Sequence, residues 1–328
     1  MIKFDKLKIV SSIENISDIN EDKFDVVIKD GLIHELKFSI QSPYSLYIEI
    51  DYIEKELVLE FTGKILKDDY PNLINKDTIR TCLSNINDFG VCSLNIDKIL
   101  SDGYIVKADV CQDVTYPNYK ELTKSLRANV SNYKKYLVSE KGSNLIIEKN
   151  VQTKGYKCRL TIYNKEQELQ RACNRQFLQQ VEDKSKLLAS FKDKLRFEMN
   201  LNSMEQLRKS LNITDTSIYS VMNSNSTPIW NFLDKTIQDS GIEAVCTNLS
   251  ELKNQLLLEY CGCDLAKVEA LLRNYHSPNT HISQVMRPYR ALAEKMTENL
   301  TPSVKQQLRN LLLEVFVFGI ISLGCIQI

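Results

Sequence analysis

The chain has 328 residues, 43% hydrophobic and 26% charged, with 10 glycines and 7 prolines. This is ordinary for a soluble globular protein and long enough for a full core and two domains. A formal net charge of zero argues, taken alone, against a polyanionic partner.

The first hundred residues hold 12 Lys/Arg against 18 Asp/Glu, a balance of −6. The start, Met1-Ile2-Lys3-Phe4-Asp5-Lys6, has neither the apolar core nor the cleavage site of a signal peptide. Strand patterning follows: Leu32 to Ile40 and Leu46 to Ile50 alternate, and Glu56 to Phe61 follows a charged turn, which predicts an antiparallel meander. A helix is expected over Asn75–Ile86 and a shorter one over Ile96–Leu100, before a strand over Tyr104–Val114. Residues 101–200 hold 19 Lys/Arg against 12 Asp/Glu, a balance of +7, so the middle third is where a polyanion would be met.

Within that third, Tyr119, Leu122, Leu126, Val130, Tyr133 and Leu137 recur at helical spacing and predict an amphipathic helix over Asn118–Val138. Lys120, Lys124, Arg127, Lys134 and Lys135 lie off its apolar face, either solvated or tracking phosphates. Leu145–Ile147, Lys157–Tyr163 and Leu195–Leu201 read as strands. Beyond Ser203 the pattern is helical, with segments over Met204–Leu211, Thr216–Met222, Pro228–Gln238, Leu249–Tyr260, Asp264–Tyr275, Ile282–Leu300 and Pro302–Phe318. The predicted architecture is α+β, an antiparallel sheet with packed helices over residues 1–205, followed by an all-helical domain over 206–328. The apolar tail Leu311–Ile328, interrupted by Glu314, is expected to be a buried helix or an oligomer contact, with no membrane span. Nine cysteines without a CxxC pair fit reduced core thiols of a cytoplasmic protein and lack zinc-ligand spacing.

Three strand segments place reactive side chains on one face by the period-two rule. Asp109 and Asp113 share a face in the first. Arg159, Tyr163 and Lys165 share one in the second, and Arg196, Glu198 and Asn200 in the third. If the strands are neighbours, carboxylates, a tyrosine and basic groups converge. Carboxylate oxygens suit Mg²⁺ or Mn²⁺, such an ion neutralises charge on a reacting phosphodiester, and tyrosine is a usable nucleophile once its phenolate is stabilised.

The segments Ile105–Asp113, Leu160–Leu169 and Leu195–Leu201 resemble, in order and approximate spacing, the replication initiators of rolling-circle plasmids and filamentous phages. That family has a strand ending in Asp-x-x-x-Asp, then Tyr-x-Lys-x-x-Glu, then an Arg-Phe-Glu strand. The resemblance implies a nicking and joining enzyme in which Tyr163 attacks an origin phosphodiester, forms a 5′-phosphotyrosine bond and frees a 3′-hydroxyl. It implies a catalytic role for Lys165, metal ligands at Asp109, Asp113 and Glu198, and a family acidic position at Glu168, whose place one turn beyond the tyrosine also suits a cap or brace of the loop. Lys157, Arg159, Lys124, Arg127 and Arg196 are the expected DNA contacts. The expected partner is origin DNA, single-stranded and as supercoiled duplex, with a homodimer and a host helicase as further partners and no membrane. Two features depart from the pattern: no histidine pair is present, and Asn164 follows the tyrosine where plasmid members often carry an acid. A second reading is a non-catalytic DNA-binding regulator using a helix-turn-helix near 205–222, with Asn212 at the turn. A third is an interaction protein whose carboxylates bind nothing.

Overall fold

A computed structural model describes residues 1–130, 135–151, 157–237, 246–298 and 304–321, the side chains of 297–298 and 314–321 aside. Its strands are β1 (Phe4–Ser12), β2 (Ile16–Ser17), β3 (Asp25–Lys29), β4 (Leu32–Ile40), β5 (Leu46–Asp51), β6 (Glu56–Thr62), β7 (Ser93–Leu94), β8 (Tyr104–Thr115), β9 (Tyr136–Lys141), β10 (Asn144–Lys149), β11 (Arg159–Asn164) and β12 (Lys194–Leu201). Ten of them form one antiparallel sheet in the order β3-β4-β5-β6-β1-β8-β12-β11-β10-β9, and β2 pairs with β7. The predicted α+β class with a large antiparallel sheet and helices beside it is what the chain adopts.

The sequence pattern accounts for the order. Hairpins close the outer strands: β3 to β4 turns at Asp30-Gly31, both with positive φ, and β9 to β10 turns at Gly142. These turn residues tolerate the left-handed region at low cost. The centre is long-range: β1 lies between β6 and β8, and β12 lies between β8 and β11. Leu195, Phe197, Met199 and Leu201 alternate as buried side chains along β12, opposite in phase to the polar residues at 196, 198 and 200.

Helices α1 (Ile79–Asn87) and α2 (Ile96–Asp102) precede β8, and α3 (Tyr119–Asn129) follows it. Three short helices, α4 (Lys165–Leu169), α5 (Arg175–Gln179) and α6 (Lys184–Ser190), link β11 to β12. With the turn over 63–72 they enclose an apolar cluster that contains Tyr70, Leu169, Phe177, Leu187, Phe191 and, from β8, Cys111. Three more helices, α7 (Met204–Leu211), α8 (Ile218–Met222) and α9 (Pro228–Thr236), pack against β8, with α7 and α9 also reaching β12. They bury Leu207, Val221 and Leu233 completely.

The expected helix over Asn118–Val138 is corrected. Leu122, Leu126 and Val130 are buried as its apolar stripe requires, but α3 ends at Asn129 and Tyr136–Lys141 is strand β9. Tyr133 and Lys134 lie outside the described residues. Tyr136 to Lys141 gains a full antiparallel ladder with Asn144–Lys149, and that pairing outweighs a helical spacing carried by Leu137, which is 44% exposed.

By compactness, one unit is Met1–Ile237 with Leu308–Ile328, and the other is Gln238–Gln307. The sequence places its boundary at 205/206, whereas α7, α8 and α9 bury their apolar faces with the first unit. The second unit holds α10 (Leu249–Tyr260), α11 (Leu265–Arg273) and α12 (Ile282–Glu298) around Leu258, Val268, Met286 and Leu292. In α13 (Val304–Ile321), Leu308 and Leu312 have no exposed surface, and the Leu312 carbonyl accepts from the Gln112 side-chain amide at 2.7 Å. The tail beyond residue 321, with Cys325, lies outside the described residues. Among the described residues no helix is long and apolar enough to cross a membrane.

Candidate active site

The three reactive strands are neighbours, in the order β8-β12-β11. Register sets their side chains in rows: Tyr163 faces Arg196, which faces Asp113; Thr161 faces Glu198, which faces Cys111; Arg159 faces Asn200, which faces Asp109. All of these share one face, because register matches like positions across an antiparallel pair.

The Tyr163 hydroxyl donates to Glu198 Oε2 at 2.8 Å. Asn200 Nδ2 donates to Asp109 Oδ1 at 2.6 Å, and its Oδ1 accepts from Arg159 Nε at 3.1 Å. Arg196 has no exposed surface. Its Nε and Nη2 fork onto the two Asp113 oxygens, each at 2.7 Å, while Nη1 donates to Asp5 Oδ1 at 2.7 Å and to the Tyr70 hydroxyl at 3.0 Å. The Tyr70 hydroxyl donates in turn to Asp5 at 2.8 Å.

This geometry engages two of the expected site residues with each other. Asp113, expected as a metal ligand, has both its oxygens taken by a bidentate guanidinium. Arg196, expected as a DNA contact, is sealed beneath Tyr70 and Phe191, its guanidinium carbon 5.5 and 5.6 Å from their ring centres. Asp5 is a site residue that the sequence pattern does not reveal. Between β1 and β8 the register steps from Phe4↔Val110 to Lys6↔Asp109, which leaves Asp5 as the extra residue of a β-bulge and re-aims its side chain. Nothing local in Phe4–Ser12 announces a bulge, because the bulge belongs to the pairing of two strands about a hundred positions apart.

The charges explain one another. Burial works against an ionised Asp5, yet Arg196, Lys165 and the Tyr70 hydroxyl more than offset it and hold its carboxyl below the ordinary range. At Glu198 the balance runs the other way. Burial, then the negative charges of Asp5 and Asp109, outweigh the Tyr163 hydrogen bond and push its carboxyl up to about 7. Burial also raises Asp109. The Tyr163 phenol is pushed well above its ordinary value by burial and then by Glu198, so it is held as a protonated donor to Glu198.

Lys165 is 2% exposed and binds Glu168 at 2.5 Å. Its ammonium sits 5.7 Å from the Tyr163 ring centre and 5.1 Å from that of Tyr70, which fixes the tyrosine's ring rather than its oxygen. Glu168 accepts from Asn174 Nδ2 at 2.9 Å, and Asn174 Oδ1 accepts from Lys64 at 2.7 Å. Asn164 caps α4, accepting from the Gln167 amide at 2.9 Å. Of the remaining DNA candidates, Lys157 and Arg159 line an open groove beside Asp109. Lys124 and Arg127 are exposed on α3, Arg127 paired with Glu140 at 3.0 Å.

Carboxylate oxygens at Asp109 and Glu198 are donors of the type a hard divalent cation takes. Among the described residues no group of three His, Cys, Asp or Glu side chains is placed to hold a metal ion. Two carboxylates with the remaining positions filled by water and phosphate oxygens is a usual arrangement for Mg²⁺.

The expected helix-turn-helix does not take shape. Asn212 does cap α7 in the left-handed region at φ 53°, but α8 has only five residues, buries Ile218, Val221 and Met222, and exposes Tyr219 without an Arg or Lys. The Thr216 carbonyl accepts from the Ile105 amide at 2.8 Å, which ties this turn to the sheet rather than presenting it to a groove.

A raised carboxyl costs stability wherever it is ionised. Relative to an ordinary glutamate at 4.5, the folded protein keeps a proton on Glu198 up to about pH 7, so stability falls as pH rises between those values. Glu198→Gln is therefore expected to melt higher than the wild type at pH 8 in chelator, by roughly 1–3 kcal/mol, with the gap closing toward pH 5. Equal melting curves at both pH values would show that Glu198 is not electrostatically strained.

Residues 75–220 match a protein-family model that describes the N-terminal part of a phage replication-associated protein. The matched segment contains β8, β11 and β12 but neither Asp5 nor Tyr70. Neither the curated proteins nor the solved structures include a match to this chain.

Proposed function

We propose, from the premise that residues 75–220 are related to phage replication-associated proteins, that this protein initiates replication by nicking and rejoining origin DNA through Tyr163. The observation that supports it most directly is the Tyr163–Glu198 hydrogen bond at 2.8 Å, on the sheet face that also carries Asp109 and inside the matched segment.

In this reading the phenol oxygen of Tyr163 attacks the phosphorus of the scissile phosphodiester. The proton passes to ionised Glu198, the bond between phosphorus and the 3′ oxygen breaks, and that oxygen leaves as a 3′-hydroxyl after taking a proton from solvent. The 5′ phosphate stays on Tyr163, and attack by a 3′-hydroxyl reverses the sequence and rejoins the strand. A carboxyl near 7 is suited to accept and return a proton at neutral pH. Lys165 holds the ring and Asn200 orients Asp109. Asp109 and Glu198 Oε1 would hold Mg²⁺ or Mn²⁺, which when bound neutralises charge developing on the phosphodiester.

The test is incubation with supercoiled replicon DNA and Mn²⁺, followed by protease digestion and mapping of the DNA-linked peptide. The expected product is a relaxed circle carrying protein on its 5′ end through the peptide containing Tyr163. A linkage at Tyr104, Tyr116, Tyr119 or Tyr156 overturns the assignment. Of these, Tyr104 already donates to Glu56 at 3.0 Å, and Tyr156 lies outside the described residues.

A further inference from the structure

On the open part of the same sheet face a groove of about 540 Å³ begins at Asp109 and Asn200 and runs toward the β1–β8 ladder. Its cations are Lys6, Lys8, Lys107, Lys157 and Arg159, against Glu60, Glu148 and Asp109. The excess is five positive against three negative, and it is unevenly satisfied. Lys6 is paired with Glu60, and Lys157 lies 3.7 Å from Glu148. Lys8 and Lys107 stand directly opposite each other in the antiparallel register, and among the described residues neither forms an ion pair. The acid across from Lys8 on its other side is Glu60, already engaged by Lys6.

Like charges facing each other across an antiparallel pair destabilise the sheet. The fold nonetheless places two ammonium groups there, next to the carboxylates and to Arg159, where a polyanion would relieve the repulsion. We infer that this groove is the track of a single DNA strand, whose phosphates lie along Lys8, Lys107 and Arg159 and lead the scissile linkage to the Asp109–Asn200 pair. The inference rests on the nicking reading for its direction, and on the groove itself for its ligand class. A single strand fits better than a duplex because Tyr163 is only 7% exposed and Glu198 lies on the sheet floor, so the phosphodiester has to descend to the strands. Among the described residues the groove has no aromatic lining, and the contacts they offer are to the backbone, which carries little sequence preference.

The test uses the full chain, a short fluorescent oligothymidylate and fluorescence anisotropy over a range of salt concentrations. Lys8→Glu/Lys107→Glu is expected to bind about tenfold or more weakly at low salt, and to lose about 1.4 from the slope of log affinity against log salt, about 0.7 for each lost phosphate contact. Lys184→Glu/Lys192→Glu, with exposed lysines on and after α6, controls for net charge and is expected to stay within about twofold of wild type at physiological salt. Lys8→Gln/Lys107→Gln gives the same slope change with less risk to the fold, and melting curves confirm that each variant is folded. Wild-type affinity and slope in both groove variants overturn the track. If the wild type nicks DNA while the groove variants bind normally, the track alone falls. If the wild type binds no single strand at all, the track and the nicking reading fall together.

Discussion

Tyr163→Phe is expected to reduce nicking of supercoiled replicon DNA to background while leaving the fold and DNA affinity intact. The substitution removes one oxygen and keeps the ring, so the contact with the Lys165 ammonium at 5.7 Å survives. What disappears is the donor to Glu198 and, with it, the attacking atom. Without an attacking atom the covalent step has no substitute, whatever else in the site remains assembled. If Tyr163 were only a core aromatic, the loss would be about 0.5–1.5 kcal/mol of hydrogen bonding and activity would persist. Measuring the nicked fraction and the melting temperature on the same sample separates the two, and a folded, active Tyr163→Phe enzyme would rule out the tyrosine mechanism.

Arg196→Met has the largest expected effect on stability. Arg196 is fully buried between Asp113, Asp5 and Tyr70, and the two carboxylates it joins are 16% and 17% exposed. Removing one partner of a buried ion pair leaves uncompensated charge and costs about 3–5 kcal/mol. For a unit of this size that is a fall of roughly 6–20 °C in Tm. Arg196→Lys is expected to recover little, because a single ammonium cannot fork onto Asp113 while also reaching Asp5. The deficit should depend on pH with a definite sign. Arg196 holds the Asp5 carboxyl below its ordinary 3.8, so the stabilisation is fully present above that value and is lost as pH falls through the lower folded value. The gap between Arg196→Met and wild type therefore narrows in acid. A variant as stable as wild type but weak in DNA binding would instead place Arg196 on the DNA, as the sequence alone suggests.

The residues of the site divide by the kind of information that locates them. Asp109, Tyr163, Glu198 and Asn200 are legible because alternation is local: a period of two assigns each strand side chain to a face without reference to the rest of the chain. The same rule, with the motif spacing, is enough to bring three strands into one hypothesis, and the register then joins them as neighbours. The stretch Asn118–Val138 reads as one helix because Leu137 fits a helical stripe and an alternating strand equally well. Only the ladder to Asn144–Lys149 decides between them.

Taken by itself, the sequence determined the α+β class, the polar faces of β8, β11 and β12, the basic middle third and the candidate nucleophile. The first three follow from composition or from periodicities spanning a few residues, and the nucleophile from the resemblance of its motif to a family. Tertiary structure alone decided which charges meet. It paired Asp113 with Arg196, raised Asp5 into the site from a bulge, and aligned Lys8 with Lys107 along an open groove. The reason is physical: an ion pair or a repulsion is fixed by lateral neighbours and by burial. Both are set by strand order between segments far apart in the chain, which no local pattern encodes.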